Sequence, residues 1–160
     1  MTSPLCNVLF VCTGNICRSP MAEYLFLSRI GPNAPWKAHS AGLAAVDGLP
    51  ASRTAIEVMD EVGVNIREHS SRELTNEQID AATIILVMTA AHAAELKRRF
   101  PTARDRVYLL GSFNKNAKEN EMSDPVGSSL EVYRRTRNDI AGCLDGLIRY
   151  LQSLQENKNP

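Results

Sequence analysis

Cys12 and Arg18 stand six positions apart in Val11-Cys12-Thr13-Gly14-Asn15-Ile16-Cys17-Arg18-Ser19-Pro20, after an apolar run and before a helix start. That spacing closes a short loop whose backbone N–H groups, from Thr13 to Arg18, can converge on a phosphate as a nest. The positive end of the following helix stands behind them. A thiolate at the foot of such a loop is a nucleophile for phosphorus, and the same donors favour thiolate over thiol at Cys12. The planar guanidinium of Arg18 suits two phosphoryl oxygens at once, in the ground state and in the flatter transition state. Ser19 can hydrogen-bond the sulfur and ease its departure in a second step. Gly14 is expected to supply positive φ where the loop turns tightly. The chemistry implied is displacement at phosphorus through a phosphocysteine.

The bare pattern of cysteine, five residues and arginine is not specific. Cys143-Leu144-Asp145-Gly146-Leu147-Ile148-Arg149 repeats it. That copy lies inside a helical pattern, where N–H groups are consumed by intrahelical bonds and cannot face an anion. A phosphate ester also leaves slowly unless its oxygen is protonated, and a positioned acid contributes ~10²–10⁴-fold. Asp124, stiffened by Pro125 in a long polar segment, is the candidate acid; the same dipeptide is also a common turn pair.

The elements that must position these groups follow from patterning. Residues 6–11 read as a buried strand. Ser19 as N-cap and Pro20 as first residue start a helix that runs to Ile30, where Gly31 and Pro32 end it. Residues 36–41 read as a second strand, and 50–61 as a helix stopped by Gly63. Residues 83–88, apolar throughout, give a strand covered on both faces. A helix over 91–100 ends at Pro101, a fourth strand spans 107–110, and 111–126 is a long loop of the kind that is often functional. From Ser129 onward, apolar residues at three-to-four spacing make a long amphipathic helix. Strands alternating with helices predict a single α/β domain with a central four-stranded parallel sheet and helices on both faces. The phosphate-binding loop leaves strand one at its carboxyl end, where such sheets bind ligands. The domain is drawn over 1–155, with 156–160 as a short polar tail.

A chain of 160 residues is long enough for one continuous core. Lys+Arg and Asp+Glu balance at 18 each, so no global charge calls for nucleic acid or a membrane surface, and any anion affinity must be local. The first residues carry no basic leader pattern and no apolar run approaches the ~20 residues of a membrane span, which makes the cytoplasm the default compartment. The four cysteines read as reactive or core thiols rather than a disulfide framework, with Cys6 and Cys143 in the core. No His, Cys and carboxylate cluster has metal spacing, so neither a metal nor a cofactor is expected, and the chain is expected to act as a monomer.

Taken together, these segments resemble the low-molecular-weight protein tyrosine phosphatases over nearly the whole chain. VCTGNICRSPMAE carries most of the similarity, and SAG at residues 40–42, EHSSREL around His69 and DPVGSSLEVY follow in the family's order. The resemblance implies Cys12 as nucleophile, Arg18 as transition-state clamp, and Asp124 as the acid that later activates water. Thr13, Gly14, Asn15, Ile16, Cys17, Arg18 and Ser19 would then hold the phosphate of a phosphorylated protein. Asn15, Ser19, Ser40 and His69 would form the polar network that fixes the loop. Cys17 would capture oxidised Cys12 as a disulfide. On chemistry alone, His69 reads as an ordinary core or surface histidine, and His39 and His92 have no functional support.

Two departures bear on the substrate. Members active on phosphotyrosine usually carry aromatic residues after the Asp-Pro pair, where Val126 and Gly127 stand here. Leu43-Ala44-Ala45 also lacks an aromatic residue, so the slot should be wider. A related bacterial branch acts on phosphoarginine and has threonine at the position of Ile16, and SLEVYRRTRNDI is closer to that branch. An apolar Ile16 at the loop crest favours an aromatic ring over a guanidinium. Phosphotyrosine is therefore the first expectation and a protein arginine phosphatase the alternative. An arsenate reductase on this fold needs relay cysteines past mid-chain, and none stands between Cys17 and Cys143. A non-catalytic phosphate-binding module would not need both Cys12 and Asp124.

Overall fold

Four parallel strands in the order β2-β1-β3-β4 form the sheet. They are β1 (Cys6–Cys12), β2 (Trp36–Gly42), β3 (Ile84–Val87) and β4 (Val107–Leu109). The helices are α1 (Arg18–Ile30), α2 (Arg53–Asp60), α3 (Asn76–Ala81), α4 (Ala90–Arg99) and α5 (Leu130–Lys158). This is a computed structural model that describes residues 6–158. The predicted α/β architecture and sheet are those observed.

The alternation of β1 divides the core. Val8, Phe10 and Cys12 join one buried cluster with Met21 and Phe26 of α1, Val58 and Met59 of α2, and Ile140, Leu144 and Leu147 of α5. Leu9 and Val11 join the other, with Ile79 of α3 and Leu96 of α4. Both faces are covered, which is why β1 is apolar from Val8 to Cys12 rather than alternating. Each fully buried aliphatic side chain contributes about 1.5–3 kcal/mol relative to exposure. Among the described residues no helix is long and apolar enough to cross a membrane.

Several boundaries differ from the sequence reading. α2 starts at Arg53 rather than at residue 50, because Ser52 is the cap: its hydroxyl accepts from Ala55 N–H at 3.2 Å. α3 was not expected. Its signal is the reciprocal capping box of Thr75 and Gln78, in a helix too short to show a period. Pro101 ends α4 but opens a 3₁₀ turn over Pro101–Arg106, and another 3₁₀ turn over Leu110–Phe113 shortens the expected loop. α5 continues to Lys158, so the expected tail at 156–160 is helical as far as the described residues reach.

The carboxyl edge of the sheet positions the site. Cys12 ends β1 opposite Gly42, the last residue of β2, and Val11 pairs with Val87, the last of β3. A Cβ on Gly42 would meet Thr13 O at 2.5 Å and Asn15 N at 3.1 Å, both backbone atoms of the Cys12 loop. Gly42→Ala must therefore displace that loop. The expected loss is about 1–3 kcal/mol of stability, read as a lower urea midpoint; an unchanged midpoint would contradict the packing described.

Candidate active site

The loop between β1 and α1 is held from outside by its carbonyls. Those of Cys12 and Thr13 accept from Leu43 N–H (3.0 Å) and Ala44 N–H (2.9 Å), and that of Ile16 from Ser52 N–H (2.8 Å). The Asn15 carbonyl accepts from His69 Nε2–H at 2.7 Å. Among the described residues, the N–H groups of Gly14, Asn15, Ile16 and Cys17 donate to no protein acceptor. Backbone donors without protein acceptors, in a loop fixed on its other side, form a nest whose geometry suits an anion.

The tight turn is made by Asn15 and not by Gly14. Asn15 has φ +57°, the one positive value at a non-glycine residue among the described residues. A Cβ on Gly14 would meet only Ile16 Cγ1, at 3.8 Å. Left-handed backbone costs roughly 1–2 kcal/mol for most side chains and is tolerated best by Asn. Here every polar atom of the Asn15 side chain is engaged. Nδ2 donates to Ser19 Oγ (2.8 Å) and Ser40 Oγ (2.9 Å), while Oδ1 accepts from Arg72 N–H (3.0 Å). Ser40 in turn donates to the Glu23 carboxylate, a half-buried group whose pKa is pushed up by desolvation. His69 is buried, and desolvation lowers its pKa despite the bond to Asn15. A neutral ring with its proton on Nε2 fits the carbonyl it faces.

Ser19 is also placed differently from expectation. α1 begins at Arg18 with Cys17 as its cap position, so Ser19 lies inside the first turn. Its hydroxyl serves the network instead: Cys12 Sγ is 2.9 Å from Ser19 Oγ. Because Asn15 donates to that oxygen, the proton of Ser19 is left for the sulfur. Cys12 itself is buried at the foot of a pocket of about 140 Å³ lined by Cys12, Thr13, Gly14, Ile16, Cys17, Arg18, Asp124 and Val126. Cys17 Sγ donates to Ser52 Oγ (3.3 Å) and lies 3.4 Å from Tyr133 OH, and burial pushes its pKa up.

Arg18 is 3% exposed. Its Nη1 donates to Met122 O at 2.9 Å, its Nη2 lies 3.6 Å from Asp124 Oδ2, and its Nε is buried with no protein partner. One guanidinium thus reaches both the loop and the segment that carries the acid, with a donor to spare. That segment is pinned further by Met122 N–H to Met88 O (2.9 Å) and by Ala90 N–H to Glu121 Oε1 (2.8 Å). Asp124 Oδ1 accepts from Val126 N–H at 3.1 Å, which fixes the carboxyl while its side chain stays half exposed.

The structure therefore brings Cys12, Arg18, Asp124 and the predicted network of Asn15, Ser19, Ser40 and His69 together. A larger cavity of about 530 Å³ lies behind the acid segment, between Asn114, Met122, Arg135 and Asp139, with Cys143 in its lining. Cys143, the second match to the spacing pattern, is fully buried within α5, bonds Asp139 O at 3.2 Å, and has its pKa raised to about 11 by burial. Two participants were missed by the sequence reading. Glu23 follows the loop motif directly, at the end of MAE. His92, on the first turn of α4, places Nε2 2.8 Å from Thr13 Oγ1. Its one sequence signal is position: α4 starts at the same sheet edge as the Cys12 loop.

Residues 7–159 match the family described as low molecular weight phosphotyrosine protein phosphatase. A protein-arginine-phosphatase of Geobacillus stearothermophilus is 40% identical over 149 residues, covering 93% of this chain and 98% of that one. Among solved structures, an arginine phosphatase from Geobacillus stearothermophilus superposes with TM-score 0.86 at 37% identity, covering 97% of this chain and 98% of that chain. A low molecular weight protein tyrosine phosphatase from T. tengcongensis gives TM-score 0.84 at 38% identity, with 91% and 99% covered.

Proposed function

The chain belongs to the low molecular weight phosphotyrosine protein phosphatase family, and from that premise we propose that it hydrolyses phosphotyrosine in proteins through phosphocysteine at Cys12. The observation that carries this reading is the buried Cys12 Sγ beneath unpaired loop N–H groups and the unpartnered Arg18 Nε. In the first step the Cys12 thiolate attacks phosphorus, the phosphorus–oxygen bond to the tyrosine breaks, and the Asp124 carboxyl group gives its proton to the departing phenolic oxygen. In the second, the Asp124 carboxylate takes a proton from water as that water attacks phosphorus. The sulfur then leaves as thiolate, received by the Ser19 hydroxyl, and inorganic phosphate is released. The loop N–H groups and Arg18 stabilise the equatorial oxygens in both transition states.

The choice of phosphotyrosine rests on the pocket walls. Ile16 and Val126 present aliphatic surface at the mouth, and Asp124, the one carboxylate of the lining, is already 3.6 Å from Arg18. A leaving guanidinium would meet few free acceptors there. The likeness to proteins named arginine phosphatases favours a second reading, hydrolysis of phosphoarginine in proteins by the same cysteine. Initial rates on matched phosphotyrosine and phosphoarginine peptides separate the two. Wild type is expected to favour phosphotyrosine by about tenfold or more in kcat/KM, and Ile16→Thr to move the ratio about tenfold toward phosphoarginine. Wild-type preference for phosphoarginine would establish the second reading instead.

A further inference from the structure

His92 lies outside the network that fixes Asn15, yet it touches the Cys12 loop. The residue is 8% exposed, with Nε2 2.8 Å from Thr13 Oγ1 and Nδ1 buried without a protein partner. Burial, then the Arg18 guanidinium, lowers its pKa to about 4, against weaker raising effects from Asp124 and Glu121. At neutral pH the ring is neutral, so one nitrogen carries a proton and the other does not. With the proton on Nδ1, Nε2 would accept from Thr13 and a buried N–H would be stranded. With the proton on Nε2, the ring donates to Thr13 Oγ1 and only a lone pair is left bare. A stranded buried N–H is the rarer defect.

Arg18 Nη2, which can only donate, also approaches Thr13 Oγ1, at 3.5 Å. Two donors turned on one hydroxyl oxygen leave that hydroxyl's proton unclaimed by either. Thr13 is exposed and lines the pocket above Cys12. We infer that His92 is a positioning residue that turns the Thr13 hydroxyl proton into the pocket, as an additional donor to a non-bridging oxygen of the substrate's phosphoryl group. The inference rests on the phosphoryl-transfer reading above. It also gives the start of α4 a double task, because the Ala90 N–H there holds Glu121 of the acid segment.

Two measurements on the full chain test it. Ring ¹⁵N–¹H correlation spectra of the protein with inorganic phosphate should show His92 protonated at Nε2 and bare at Nδ1. A proton on Nδ1 overturns the inference, and this readout needs no turnover, so it stands apart from any failure of the phosphatase reading. In steady-state kinetics with p-nitrophenyl phosphate, Thr13→Val and His92→Leu should each lower kcat/KM about tenfold, and the double variant by the same factor. His92→Gln, which keeps an N–H donor, should recover most of the loss. Multiplying losses in the double variant, or a wild-type rate for Thr13→Val, would overturn it. Thr13→Val, nearly unchanged in shape at an exposed position, decides the matter if His92→Leu does not fold.

Discussion

Cys12→Ser is expected to remove turnover while leaving the anion site intact. The serine hydroxyl is of similar shape, keeps a contact with Ser19 Oγ, and leaves the loop N–H groups and Arg18 Nε where they are. What it lacks is the anion: an alcohol at the foot of the loop is not ionised at neutral pH, and its side-chain hydrogen-bond partner among the described residues is the Ser19 hydroxyl, which is no general base. The fall in kcat should be on the order of 10⁴-fold or more, as for loss of a nucleophile in other covalent catalysts. Inorganic phosphate should still bind to the variant in calorimetry. Turnover surviving within about tenfold of wild type would contradict covalent catalysis and favour a phosphate-binding module whose hydrolysis proceeds by another route.

Asp124→Asn should separate protonation from positioning. The amide oxygen can still accept from Val126 N–H, so the turn that holds the side chain survives. The variant cannot give a proton to the leaving oxygen or take one from water. Losses of ~10²–10⁴-fold in kcat/KM are expected for substrates with basic leaving groups, shrinking as the leaving group becomes more acidic. A series of substituted phenyl phosphates measures this directly: wild type should depend weakly on leaving-group basicity and the variant steeply. Equal losses across the series would mean that Asp124 shapes the pocket and does no proton transfer. The same variant should slow the second step, so that phosphocysteine accumulates.

Much of this site is readable from local chemistry, because its central parts are neighbours in the chain. A strand, a loop of donors and a helix start occupy fourteen consecutive positions from Val8, and the apolar run of 83–88 names the strand beside them. What local rules miss is what distant segments impose. Gly14 is the natural choice for the turn, yet Asn15 takes the left-handed conformation because its partners come from 25, 54 and 57 residues away. Ser19 is a natural helix cap by type, but a buried cysteine beside it claims the hydroxyl. His92 cannot be linked to Thr13 without the β1–β3 register, since nothing in its own neighbourhood distinguishes it from a helix-surface histidine. The acid is legible as an Asp-Pro pair, while its distance from the sulfur depends on Arg18 reaching Met122 O across the fold.

The sharpest trial of the account is to look for the bond itself. Asp124→Asn, mixed with p-nitrophenyl phosphate and quenched in denaturant within the first turnovers, should yield one phosphoryl group on the peptide that contains Cys12, carried on sulfur. A peptide that stays unmodified through the burst of p-nitrophenol, or a phosphoryl group found on any other side chain, would contradict it.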